Sequence, residues 1–152
     1  LAKAAGASGM VGGQAIDLSA VGMQISQATL ELMHRHKTGA LIQASVQLGA
    51  IASNSATAET LAALKLYADA IGLAFQVQDD ILDITSDTQT LGKQQGSDQA
   101  HDKPTYPALL GLEHAQQYAY RLRDQAQAAL ADFDHKAEYL RQLADYVVTR
   151  KN

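Results

Sequence analysis

Cysteine and tryptophan do not occur in these 152 residues, and proline occurs only at Pro104 and Pro107. Without cysteine there is no disulfide framework and no thiol chemistry, a usage that suits a reducing cytoplasm. With proline confined to one stretch, little interrupts helices elsewhere. Aromatics are 5% of the chain, so packing must rest on Ala, Leu, Ile and Val. There is no basic block, and the formal net charge is −4, which argues against a nucleic-acid partner. No apolar run reaches the roughly 18–20 residues of a bilayer span, and no signal-peptide pattern is visible. Strand-like alternation, repeats and low-complexity tracts are missing too. What remains is a domain-sized chain, 47% hydrophobic, whose periodicity is helical throughout. The fold class read from it is all-α.

The pattern predicts a short helix from Leu1 to about Val11, where Gly6, Gly9, Gly12 and Gly13 imply close packing against neighbours. A second helix is expected over Ser26–Ile51 and a third from Thr57 to Ile84, with Thr57 as N-cap after the Ser53-Asn54-Ser55 turn. In the third, Leu61, Leu64, Ala68, Ile71, Phe75 and Leu82 recur at helical spacing. The pattern stops from Ser86 to Lys103, a length typical of lids or disordered segments. It resumes from Thr105 to Phe133, with a break near Gly111, and from His135 to Thr149.

The densest chemistry lies in Gly72–Asp83, where Asp79, Asp80 and Asp83 fall within five residues and no basic residue intervenes between Lys65 and Lys93. Spacings of i, i+3 and i, i+4 project all three from one helical stripe. Like charges so placed repel by roughly 0.2–0.5 kcal/mol per pair, and a nearby helix C-terminus adds further negative potential. A hard divalent cation is the natural compensation; a solvated acidic helix end is the plain alternative. In the second helix, Lys37 occupies a position where the apolar spacing of Leu30, Leu41, Ala44 and Leu48 asks for a hydrophobe. It either snorkels to solvent or points at an anion. His34 and His36 are two apart, so a helix turns them away from each other and they are no metal pair. Arg150 and Lys151 suit the dipole of the last helix.

Gly9-Met10-Val11-Gly12-Gly13-Gln14, His36-Lys37-Thr38-Gly39, Phe75-Gln76-Val77-Gln78-Asp79-Asp80, Leu91-Gly92-Lys93 and Lys103-Pro104-Thr105-Tyr106-Pro107 occur in one order along the chain. In that order they resemble the C-terminal half of the trans-prenyl diphosphate synthase family, nearest its bacterial farnesyl diphosphate-forming members. The resemblance implies an isoprenoid synthase-type helical bundle, with residues 1–152 forming the C-terminal portion of a single domain. The family's first aspartate-rich motif and its isopentenyl diphosphate site are absent from this sequence.

By the same resemblance, Asp79, Asp80 and Asp83 would hold Mg²⁺, or Mn²⁺ in its place. From a helix kink that Gly39 could permit, Lys37 would reach the allylic diphosphate and Thr38 would lie beside the reacting carbon, and Gln76 would stabilise developing positive charge. Lys93 would close onto the diphosphate and Lys103 would bind it more peripherally. Asp102 stands where the family usually has glycine, which weakens the match at Lys103. Gln14 and Asp17 would border the pocket, with Asp17 orienting Lys37; as a bare residue, Asp17 could equally cap a helix. The basic C-terminal tail would fold over the isopentenyl site. The implied partners are an allylic diphosphate, isopentenyl diphosphate, the other half of the same protein and a second copy in a homodimer, in the cytoplasm. Geranyl or geranylgeranyl diphosphate synthases, class I terpene cyclases and a non-catalytic helical scaffold are the alternatives.

Overall fold

The computed structural model describes residues 1–86 and 103–151. Among these residues no strand occurs. The elements are α1 (Ala2–Ala5), α2 (Met10–Ala20), α3 (Gln27–His34), a π-helical segment (Arg35–Gly39), α4 (Ala40–Ala52) and α5 (Ala58–Thr85). Beyond residue 103 come α6 (Tyr106–Leu110), α7 (Leu112–Ala129), a 3₁₀ turn (His135–Ala137) and α8 (Glu138–Thr149).

Helix α5 is the axis of the fold. Its Tyr67, Ile71, Leu73 and Val77 are buried, and they pack with Leu30 and Met33 of α3, Tyr106 of α6, Leu122 of α7 and Val147 of α8 in one core. Small residues let α7 lie close to it: Ala115, Ala119 and Ala126 are all buried. At 28 residues α5 is the one described helix long and apolar enough to cross a bilayer, with a mean hydropathy of 1.2 over its best window. Lys65, Asp69, Asp79, Asp80 and Asp83 interrupt it, so it still holds no unbroken apolar run of that length. Burial on most sides, including at Gln76, Gln78, Asp80 and Asp83, marks it as the centre of a helical core.

Local chemistry accounts for the boundaries. Thr57 accepts the Thr60 N–H at 3.2 Å, Ser26 that of Thr29 at 3.2 Å, and Thr105 that of Ala108 at 3.3 Å, so each starts a helix as an N-cap. Asn54 closes the α4–α5 turn at φ 56°, a left-handed conformation that asparagine tolerates. Gly111 at φ 80° separates α6 from α7, the expected break. Two expectations need correcting. The first helix stops at Ala5, because Gly9 is folded tightly against the Ala4 carbonyl, and a new helix starts at Met10. The second is not one α-helix; its middle turn widens into the π segment Arg35–Gly39.

Candidate functional site

Three elements meet where the helix widens. A side chain on Gly13 of α2 would collide with the backbone of Lys37, so α2 and the π segment touch main chain to main chain. On the other side, a Cβ on Gly72 of α5 would sit 3.1 Å from Cα of Gly39. Inserting a residue into a helical turn changes the direction of the side chains after it, a feature common at functional sites. Here the widened turn directs Lys37 to α2 and Thr38 to α5. Lys37 Nζ donates to Asp17 Oδ2 at 2.7 Å. Thr38 Oγ1 donates to Gln76 Oε1 at 3.1 Å. Lys37 therefore does not snorkel to bulk water, and Asp17 lies within α2 rather than capping it.

The aspartates divide by environment. Asp79 has 49% of its side chain exposed and meets Arg150 Nη2 at 3.3 Å. Asp80 is buried and accepts the Tyr106 N–H at 2.9 Å, holding the first residue of α6 against α5. Asp83 is 1% exposed. The single stripe expected of the three thus starts at the rim and runs into the interior. Four residues on a 3.6-residue helix overshoot one turn by about 40°, enough to carry Asp83 inward when the helix is covered on most sides. Among the described residues no three His, Cys, Asp or Glu side chains are arranged to hold a metal ion.

His34, the last residue of α3, lies buried beneath this junction, with its ring stacked on Tyr106 at 5.7 Å between centroids. Burial lowers its pKa to about 4, and the Lys37 charge pushes the same way against weaker opposite pulls from Gln76, Asp17 and Asp79. The ring is neutral at pH 7. Neither ring nitrogen has a protein partner in full hydrogen-bond geometry, so the neighbouring Gln76 amide acts on it from beyond that limit. Burial likewise pushes the Tyr106 phenol up, far above its ordinary value.

The other expected residues are less gathered. Gln14 is exposed on α2, one turn before Asp17. Lys103 lines a cleft of about 660 Å³ with Gly22–Ile25 and Leu109, which includes none of Lys37, Thr38, Gln76 or Asp79. Lys93 and the expected 86–103 cover fall outside the described residues, save Ser86 and Lys103. Phe75, read as packing, is half-buried beneath the Arg150 guanidinium. Sequence reasoning missed Asp80's hold on Tyr106 and the Arg150–Asp79 contact. The first joins residues 26 apart and the second residues 71 apart, so no local pattern signals either.

Residues 4–144 match the family described as polyprenyl synthetase. The chain is 52% identical over 153 residues to the farnesyl diphosphate synthase of Escherichia coli K12, covering 99% of this chain and 51% of that protein. It is 46% identical to a chloroplastic geranylgeranyl pyrophosphate synthase of Catharanthus roseus, covering 100% of this chain and 43% of the relative. A Helicobacter pylori geranyltransferase, solved in complex with magnesium and isoprenyl diphosphate, superposes with a TM-score of 0.78 at 33% identity. That alignment covers 93% of this chain and 46% of the other. The chain thus spans about half the length of these relatives.

Proposed function

The chain belongs to the polyprenyl synthetase family, and from that premise we propose that it is the C-terminal half of a farnesyl diphosphate synthase. In the proposed reaction the C1–O bond of dimethylallyl or geranyl diphosphate breaks and inorganic diphosphate leaves. The double bond of isopentenyl diphosphate attacks C1 through its C4, and a proton is then lost to give the longer allylic diphosphate. The observation that carries this reading is the paired junction Lys37–Asp17 and Thr38–Gln76, by which the π segment meets α2 on one side and, on the other, α5, the helix that also bears Asp79.

Each group has a physical role to play. Lys37, aimed by Asp17, supplies a fixed positive charge for the departing diphosphate, with no reorganisation needed at the moment of ionisation. The amide oxygen of Gln76, oriented by Thr38, presents a negative dipole end to an allylic cation. The buried, neutral His34 adds no positive charge beside that cation. The apolar packing around Leu73 and Val77 keeps water from the floor of the site. As a metal centre the donor set fits Mg²⁺ in one specific way. Asp79 is a hard, half-exposed carboxylate, suited to a cation that keeps several waters and takes one or two protein oxygens plus substrate phosphates. Asp80, already committed to Tyr106, and Asp83, in the interior, would support Asp79 rather than cage the ion. When bound, Mg²⁺ (or Mn²⁺) would draw charge onto the leaving diphosphate.

Isopentenyl diphosphate would bind to the half of the protein not contained in these residues; that half, a second copy in a homodimer and a cytoplasmic setting complete the proposal. A geranylgeranyl-forming synthase is the second reading, favoured by the similarity to the Catharanthus protein. The test is product analysis of the longer protein carrying this sequence, supplied with both diphosphates and Mg²⁺. A C15 product lost in Lys37→Ala and in Asp79→Ala is expected. A C20 product would select the second reading, and activity indifferent to both substitutions would overturn the site.

A further inference from the structure

Helix α8 ends at Thr149, and the chain then folds back along α5. The Arg150 guanidinium lies 4.3 Å from the Phe75 ring centroid. Its Nη2 is 3.4 Å from the Phe75 carbonyl oxygen and 3.3 Å from Asp79 Oδ1. Two hydrogen bonds fix the strap on α5: Gln78 Nε2 donates to the Arg150 carbonyl at 3.2 Å, and Ser86 Oγ to the Lys151 carbonyl at 3.3 Å. Only 9% of the Arg150 side chain is exposed, against 49% for Asp79. A nearly buried cation, held by an aromatic face and by backbone, thus reaches the one carboxylate of the three that faces solvent. This is more than complementing a helix dipole, for which a solvated side chain near the last carbonyls would suffice.

We propose that Arg150 is a positioning residue that sets the cation affinity of Asp79. It holds the carboxylate in one orientation and neutralises part of its charge, so a divalent cation must share or take over the same oxygens. The proposal rests on the reading of Asp79 as a metal ligand. The cation's advantages are its double charge and its closer approach, about 2.0–2.1 Å for Mg²⁺ against the 3.3 Å of the arginine. Linkage makes the effect mutual: a cation on Asp79 weakens the hold of Arg150 by the factor that Arg150 weakens the cation. Phe75 and Gln78 continue to anchor the strap, so its contacts loosen without the tail being released.

The test uses the longer protein with Mn²⁺ as probe, its binding followed by water-proton relaxation in the wild type and in Arg150→Met, Arg150→Lys and Asp79→Asn. Met keeps the apolar contact with Phe75 and removes the charge; Lys restores the charge. Arg150→Met should bind Mn²⁺ roughly two- to fivefold more tightly, the range expected for a half-exposed ion pair, and Arg150→Lys should return toward wild type. If Asp79→Asn weakens Mn²⁺ binding but Arg150→Met leaves it unchanged or weaker, the proposal fails and the metal reading of Asp79 stands. If Asp79→Asn changes nothing, that metal reading fails and takes this inference with it.

Discussion

Asp79 and Asp80 are adjacent and chemically identical, yet their surroundings call for opposite outcomes on substitution. Asp79→Ala removes a half-exposed carboxylate and should leave the thermal midpoint nearly unchanged while turnover in the longer protein falls by several orders of magnitude. Asp80→Ala strips the acceptor from the buried Tyr106 N–H and should cost about 1–3 kcal/mol of stability. Urea titrations alongside single-turnover rates separate the two; equal stability losses would void the distinction. His34 gives a pH signature. Its ring titrates near 6.5 when unfolded and near 4 in the fold, so the unfolded state binds more protons between those values. Stability from the neutral ring is present in full above pH 6.5 and is lost as pH falls toward 4, at no more than about 1.4 kcal/mol per pH unit. His34→Phe keeps an aromatic partner for Tyr106 and cannot titrate. Its urea midpoint should therefore decline less than the wild type's over that interval, and parallel curves would remove His34 as the cause.

Among the elements, the helices beginning at Thr57 and Thr105 were legible because capping and periodicity act within a few residues. The middle of the second helix was legible only through the family resemblance, which implies a kink at Lys37–Gly39. Periodicity over Leu30–Ile51 reads as continuous helix, and the widening at Arg35–Gly39 answers contacts from Gly13 and Gly72, which are far off in sequence. For the same reason Lys37 was recognisable as out of place in an apolar spacing, while Asp17 as its partner came from family resemblance, not from any local pattern. The burial of Asp83 depends on what covers α5, which three aspartates alone cannot reveal. These packing glycines can be tested as a pair. Gly13→Ala places a Cβ into the Lys37 backbone and should destabilise by about 1–3 kcal/mol while moving Lys37 off Asp17. Gly49→Ala, at an exposed position of α4 with no atom near the new methyl, should stabilise by about 0.5–1 kcal/mol. Similar effects from both would mean that the α2 contact does not fix the site.

At the scale of the whole molecule, the described surface carries more apolar side chains than its core requires. No residue of α4 is fully buried, and Leu18, Met23, Ile51 and Leu66 are each more than half exposed. In the proposed reading Lys37, Thr38 and Gln76 would form one wall of the site, and neither the 660 Å³ cleft beside Lys103 nor the 780 Å³ cavity between α4 and the 3₁₀ turn includes them. A reaction through an allylic cation needs a site closed to water and a second diphosphate held against the first. One wall supplies neither condition. The 152 residues alone, purified and given both diphosphates with Mg²⁺, should form no measurable prenyl product. The same residues within a chain of about twice this length, as in the relatives, should form it readily. Radiolabelled isopentenyl diphosphate gives the assay its sensitivity, and Asp79→Ala in the longer chain supplies the blank. Product from the short chain above that blank would show that this wall is a complete site, and would overturn the division of the reaction between two halves of one protein.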